Sequence, residues 1–310
     1  MSKELLVVIL GPTATGKSYC AIELAKRFQG EIISGDSMLV YRKMNIGTAK
    51  PSEAELKTVP HHLVNILPPD AEYSVVDFQQ QATKWVHDIT ERGKLPILAG
   101  GTGLYIKALL EDYQFSAAGE NPELRRELEQ FAETKGAAAL HERLRNADPS
   151  AAMRLHPNDI RRVVRALEAA ISGETVSQER KQELKYDAVV FGLSMERGFL
   201  YERINQRVDQ MIKDGLEEEV RGLLQDGVSP DCLSMKSLGY RQMAEYLTGQ
   251  CDYSTAVENI KKGTRHFAKR QITWYKQMPY VKWYTVQRDK NYKKIVADMA
   301  YILEKKSKRL

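Results

Sequence analysis

The stretch that most constrains this chain is Gly11-Pro12-Thr13-Ala14-Thr15-Gly16-Lys17-Ser18. It fits G-x-x-x-x-G-K-[ST], a loop whose backbone N–H groups cradle phosphate at the start of a helix. Its setting agrees. Leu5–Leu10 is a continuous apolar run of buried-strand type, and Tyr19–Phe28 carries Ile22, Ala25 and Phe28 on one helical face. Strand, glycine loop and helix in that order predict an α/β fold with a parallel sheet. Lys17 would add a full positive charge, and Ser18 a hydroxyl suited to Mg2+. Such a loop calls for a diphosphate or triphosphate. It does not say whether phosphate is transferred or leaves.

A chain of 310 residues predicts two domains, or one domain with an insertion. No apolar run is long enough to span a bilayer, and Met1-Ser2-Lys3-Glu4 leads straight into the first strand. Neither a membrane anchor nor an export signal is expected. Cys20, Cys232 and Cys251 are scattered, with no metal-binding spacing. A cytoplasmic monomer is the expectation. Charge is unevenly spread. Residues 261–310 hold 15 Lys and Arg against 3 Asp and Glu, a local +12, so the remainder carries −7. A cationic end on an acidic body suggests a polyanionic partner. Lys305–Arg309 also reads as a plain solvated tail.

Glu31–Ser34 reads as a second strand running into Gly35-Asp36-Ser37. Ligands of open parallel sheets bind beyond the carboxyl ends of the strands, which would set Asp36 beside the phosphate loop. Asp-Ser is also ordinary turn chemistry, and both readings stand. Residues 37–50 read as irregular, and His61-His62 as a loop pair without a third metal ligand. Val75–Arg92 reads as a helix ended by Gly93, and Leu95–Ala99 as a third strand. That strand lacks the terminal Asp that many ATPases use to hold Mg2+. Gly100-Gly101-Thr102-Gly103 follows instead, letting backbone approach a ligand closely, with Thr102 adding a hydroxyl.

From Ala117 to Asp187 strand-like runs give way to helical periods at Pro122–Thr134, Ala137–Asn146 and Asp159–Ser172. This reads as a helical insertion, 117–187, in a catalytic core formed by 1–116 and 188–310. On its last helix, Arg161 and Arg165 are one turn apart with Arg162 nearby. They either pair with Glu168 and its neighbours or meet phosphates, and spacing slightly favours pairing. Val189–Leu193 returns to a strand. Helices follow at Phe199–Lys213, with Arg203 and Arg207 one turn apart, and at Leu216–Leu224. That arginine pair is either surface or able to reach a diphosphate from the side opposite the loop. Ile260–Met278 is amphipathic, with Ile260, Phe267, Trp274 and Met278 on one side and Lys261, Lys262, Arg265, Lys269 and Lys276 on the other. Such a helix suits a nucleic-acid backbone or a membrane surface, and its narrow apolar stripe favours packing on the core.

Taken together, these motifs resemble those of the bacterial tRNA dimethylallyltransferase (isopentenyl-tRNA transferase) family over nearly the whole chain. GPTATGKS at Gly11–Ser18, IISGDSMLVYRKMNIGTAKP at Ile32–Pro51 and GGTGLY at Gly100–Tyr105 are similar to its first three signatures. HPNDIRRVVRALE at His156–Glu168, GYRQM at Gly239–Met243 and AKRQITW at Ala268–Trp274 match further ones. Leu39 stands where the family often has Gln, and Lys43 and Asn45 where it often has Gly and Asp. The cysteines for the zinc finger of eukaryotic relatives are lacking. The resemblance implies a P-loop kinase-like parallel sheet with flanking helices and a helical insertion that grips the anticodon arm. It implies transfer of a dimethylallyl group from dimethylallyl diphosphate to N6 of the adenosine 3′ of the anticodon, with Mg2+ on Ser18. Asp36, Thr102 and Arg207 would be catalytic, and Gly11–Ser18 would hold the diphosphate. Contacts to the tRNA anticodon stem-loop would come from Asp36, Ser37, Met38, Leu39 and Thr102. The insertion would add Arg125, Arg161, Arg162, Val163, Val164 and Arg165. Further contacts would come from Lys236, Gly239, Tyr240, Arg241, Lys269, Arg270, Gln271, Trp274 and Lys276. The competing reading is a P-loop nucleotide or small-molecule kinase.

Overall fold

The computed structural model describes residues 3–113, 115, 121–173 and 183–307. The boundary expected at Ala117 and residues 308–310 lie outside them. The chain divides into two compact units, Met1–Asp112 with Glu183–Leu310, and Tyr113–Gln182.

The first unit is built on β1 (Leu5–Leu10), α1 (Lys17–Phe28), β2 (Glu31–Ser34), α2 (Glu53–Thr58), β3 (His61–His62), α3 (Val75–Glu91), β4 (Pro96–Gly100) and α4 (Gly103–Leu110). The second holds α5 (Pro122–Lys135), α6 (Ala137–Ala147), α7 (Pro149–Arg154) and α8 (Ile160–Ile171). The chain then returns to the first unit as β5 (Asp187–Met195), α9 (Arg197–Lys213), α10 (Leu216–Gln225), α11 (Tyr240–Leu247), α12 (Tyr253–Tyr275), β6 (Val281–Val286) and α13 (Tyr292–Ser307).

The six strands form one sheet in the order β3-β2-β4-β1-β5-β6, with every pair parallel. β1 is central, and Leu6 to Leu10 are fully buried. Alternate side chains leave a strand on opposite faces. Leu6, Val8 and Leu10 therefore pack with Phe78, Val86 and Ile106 on one face, and Val7 and Ile9 with Cys20, Leu24 and Met299 on the other. A strand buried on both faces must be apolar throughout, which is why LLVVIL shows no alternation.

Register positions the site. Leu10 pairs with Gly100, and Ser34 with Ala99. The loops opened by Gly11, Gly35 and Gly101 thus leave the sheet side by side at its carboxyl edge.

Several elements differ from the sequence expectation. The His61-His62 pair is a two-residue edge strand on β2, held by tertiary contacts rather than propensity. His62 stacks on Trp85 at 3.7 Å and hydrogen-bonds Glu31 at 2.7 Å. The sequence's clearest amphipathic helix starts seven residues before Ile260, because Asp252 caps it by accepting the Thr255 N–H. Its buried face is Ile260, Ala268, Gln271 and Tyr275, while Phe267 and Trp274 are only half-buried. The basic tail is also not simply solvated. Lys305 and Lys306 lie on α13, which buries Ile295, Met299 and Leu303 in the core, and Lys306 pairs with Asp187 at 2.5 Å.

The helical unit has its own core, including Leu128, Leu140, Leu144, Val163, Val164 and Leu167. Each such leucine contributes about 2 kcal/mol by leaving water. Pro122 and Pro149 open their helices behind the caps Asn121 and Asp148, and Gly136 ends α5 at positive φ.

Candidate active site

The phosphate loop is shaped by backbone that few side chains tolerate. Ala14 and Gly16 have φ of 65° and 88°, an alternation that turns successive N–H groups toward one concavity. Gly16 also faces the Tyr292 ring, where a Cβ would come within 2.5 Å. α1 begins with no side-chain cap on its first N–H groups, so they remain available to an anion.

Cations gather around this concavity. Lys17 Nζ donates to the Pro12 carbonyl at 2.9 Å, and Arg203 Nε to the Ala14 carbonyl at 2.9 Å. Burial pulls Lys17 down to about 8, helped by Arg207 and opposed by Asp36. Burial and Arg203 likewise lower Arg207, while Asp36 raises it. Three cations near one carboxylate leave a net positive field suited to a polyanion. A cavity of about 810 Å3 opens beside the loop, lined by Ala14, Arg203 and Arg207 and by Lys50, Gln206 and Met211. Burial lowers Lys50 also, to about 8, and its ammonium donates to the Tyr41 carbonyl at 2.6 Å.

Asp36 sits in the neighbouring turn. Its Oδ1 accepts the Met38 N–H at 2.9 Å, the turn-capping bond. Its Oδ2 lies toward Gly101, 3.8 Å from where a Cβ there would stand. Turn cap and ligand-facing acid are therefore compatible, one oxygen each. The Thr102 hydroxyl accepts the Ser37 N–H at 3.0 Å, joining the second and third loops. These turns meet backbone to backbone, since a Cβ on Gly100 would lie 2.3 Å from Gly35.

Residues Asp36, Thr102, Arg207 and Gly11–Ser18 thus lie on the loops and helix that surround one carboxyl-edge crevice. Ser18 presents an exposed hydroxyl at the start of α1. Tyr275 and Tyr292 were not among the residues expected here, and Arg203 was expected only as half of the one-turn pair with Arg207 that could equally be surface. The two tyrosines, which bond to loop carbonyls of Gly101 and Thr15 at 2.7 and 3.1 Å, carry no local signal.

The residues expected at RNA divide into two groups. Exposed ones include Arg161, Arg162, Arg165, Lys236, Arg241, Lys269, Arg270 and Lys276. Arg165 and Arg125 both bind the buried Glu168 carboxylate, at 2.7 and 3.1 Å, so the pairing alternative holds for Arg165. Ser37, Met38, Leu39 and Trp274 are partly buried at the crevice loops. The Trp274 ring stands over Gly103, where a Cβ would lie 2.3 Å from it.

The expectation is corrected for five residues, all of them buried. Val163 and Val164 have no free side-chain surface, being core positions of α8. Tyr240 is fully buried and donates to Glu219, whose carboxylate also accepts the Ile46 N–H. It braces residues 45–47, and Gly239 beside it is buried too. Gln271 is 5% exposed and faces the loops of the site. Lys261 and Arg265, on the same helix, are taken up by Asp209 at 2.8 Å and Asn205 at 2.7 Å.

Comparison with known proteins agrees with this fold. A family model described as IPP transferase matches residues 39–278. A tRNA dimethylallyltransferase of Bacillus subtilis (strain 168) is 47% identical over 287 residues, covering 91% of each chain. One of Thermoanaerobacter sp. (strain X514) is 46% identical over 297 residues, 94% of each. The crystal structure of a Bacillus halodurans tRNA isopentenylpyrophosphate transferase is similar with a TM-score of 0.74 at 45% identity, covering 99% of both chains. A eukaryotic dimethylallyltransferase captured acting on tRNA matches with a TM-score of 0.79 at 31% identity, over 91% of this chain and 74% of that one. With a P-loop parallel sheet, a carboxylate beside the loop and this likeness over nearly its whole length, the chain belongs to the IPP transferase family, the tRNA dimethylallyltransferases, which are prenyltransferase enzymes.

Proposed function

We propose that this chain transfers a dimethylallyl group from dimethylallyl diphosphate to N6 of the adenosine 3′ of the anticodon in tRNA, releasing diphosphate. The observation that carries the reading is the convergence of the phosphate loop, Asp36 and Thr102 on one crevice. The strand β4 before it ends in glycine rather than in the metal-binding Asp of many ATPases.

The chain's own residues account for each demand of the reaction. An allylic C–O bond breaks readily when the leaving diphosphate is neutralised. Loop N–H groups, Lys17 and Arg207 do this without reorganisation at the moment of ionisation. The adenine amine is a poor nucleophile, because its lone pair is delocalised into the ring. It becomes acidic only as the N6–C1 bond forms, and Asp36 Oδ2 takes the proton. Thr102, locked to Ser37, orients the acceptor. The base leaves its stack to enter the crevice, at low cost in an RNA loop.

Mg2+ fits the donor set. Ser18 offers an exposed hydroxyl, and among the described residues no group of three His, Cys, Asp or Glu would hold a metal unaided. Ser18 would therefore share the ion with the diphosphate, where it adds further neutralising charge.

Incubating the protein with tRNA and dimethylallyl diphosphate, followed by mass spectrometry of the nucleosides, tests the reading. Prenylated adenosine is expected. Phosphoryl transfer from radiolabelled ATP to a nucleotide, with no prenylated base, would overturn it in favour of a kinase.

A further inference from the structure

The geometry points to Gln271 as the positioning residue that sets the spacing between the diphosphate loop and the acceptor loop, working from the buried face of α12. This rests on the transfer reading above.

The leaving group is held by the loop after β1, and the acceptor by Thr102 after β4. Ladder bonds fix these loops at their bases, where Leu10 meets Gly100. Beyond the ladder, α12 spans them. Gln271 Oε1 accepts the Thr13 N–H at 3.0 Å, and its Nε2 donates to the Gly101 carbonyl at 2.8 Å. One turn on, the Tyr275 hydroxyl donates to the same carbonyl at 2.7 Å and lies 3.4 Å from the Gly11 carbonyl. Both amide atoms of Gln271 are therefore committed, one to each loop. A Cβ at Gly101 would come within 2.6 Å of Gln271 Nε2, so any side chain there would push the amide aside. Transfer needs the donor carbon in line between its leaving oxygen and the incoming nitrogen. That separation depends on the spacing of the two loops, which the amide bridges.

The same helix presents Lys269, Arg270 and Lys276 to solvent and lays Trp274 over Gly103. RNA engaging the exposed face of α12 thus acts on the element that ties the loops together. A slide of α12 moves both loops through Gln271, whereas a solvated basic face would leave them unaffected.

Single-turnover transfer, the Kd for an anticodon stem-loop, the Kd for inorganic diphosphate and a melting curve would be measured for wild type and Gln271→Leu. A displacement near 1 Å costs about 100-fold, so turnover should fall by about 10–100-fold at saturating substrates, with RNA affinity within about threefold. Tyr275→Phe, which leaves the amide bridge in place, should lose less. Recovery of the rate at saturating RNA would make Gln271 an RNA contact and overturn the proposal, as would a wild-type rate. Should Gln271→Leu not fold, Gly101→Ala decides, since its methyl, 2.6 Å from Nε2, pushes the amide aside while residue 271 itself stays glutamine. Slowed turnover with intact RNA binding supports the proposal, and normal turnover overturns it. Absence of transfer by wild type would instead strike the underlying reading.

Discussion

Asp36 divides its two oxygens between structure and chemistry, and this makes it testable. Asp36→Asn keeps the Oδ1 that accepts the Met38 N–H and removes the proton acceptor. Loss of a general base costs about 10²–10⁴-fold, so single-turnover transfer should fall by that order. Donor and tRNA should still bind, and the melting temperature should barely move. A rate within a few-fold of wild type would leave Asp36 a turn cap only. Lys17 gives a pH-dependent prediction. Its pKa in the fold is about 8, below its usual 10.5. Below pH 8 the lysine is charged and its burial is a cost, which is relieved as pH rises from 8 toward 10.5. Ligand-free Lys17→Met should therefore melt higher than wild type at pH 7. Only the charged form attracts diphosphate, so the ratio of wild-type to variant affinity for inorganic diphosphate should shrink above pH 8. A ratio that stays flat from pH 7 to 9.5 would remove Lys17 from the anion site.

At the scale of elements, α12 has two jobs on two faces. Its buried face joins the loops through Gln271 and Tyr275, and its exposed face offers Lys269, Arg270 and Lys276. Lys261 and Arg265 are held by α9 and belong to neither. Charge reversal at Lys269 and Lys276 should therefore flatten the slope of log K against log[salt] for tRNA binding by roughly one unit for each phosphate no longer neutralised. Reversal at Lys262, about two turns earlier on the helix, should change it less. An unchanged slope in the Lys269/Lys276 double variant would make the face merely solvated. On α8 the arginines are less free than their spacing suggests, since Arg165 is tied to Glu168 and Arg162 lies 3.3 Å from Asp159.

For the molecule as a whole, the two edges of the sheet are specialised. The carboxyl edge carries the crevice, and the amino edge carries a stabilising ion cluster. Glu31, 2% exposed at the start of β2, accepts from Arg92, from Lys94 at 2.7 Å and from His62 at 2.7 Å. The Arg92 hydrogen bonds hold its carboxyl down to about 2 from the usual 4.5, against the opposing effect of burial. A lowered carboxylate contributes stability above its unfolded value, lost as pH falls through the folded one. Glu31→Gln should therefore destabilise the protein at pH 7 by about 2 kcal/mol. That figure lies below a fully buried pair because Arg92 and Lys94 are 44% and 41% exposed. The difference between wild type and variant, read from urea unfolding, should vanish between pH 4.5 and about 2. A difference independent of pH would assign the loss to packing rather than charge.

What the sequence by itself determined was local. The apolar run of β1 and the glycines of the phosphate loop each state a backbone geometry within a few residues, and the structure follows them closely. Asp36 and Thr102 were legible because strand ends in a parallel sheet share an edge. Only the tertiary structure decided which side chains of α12 turn inward. Amphipathic spacing there pointed to Phe267 and Trp274, yet a glutamine and a tyrosine are buried because their polar ends meet the Thr13 N–H and the Gly11 and Gly101 carbonyls of loops about 170 residues and more away. The same holds for Tyr240, buried by its bond to Glu219, and for the edge strand at His61-His62. A hydrophobic pattern records burial that is favourable by itself. Burial of a polar group becomes favourable only when its partner is in place, and that partner is supplied by the fold.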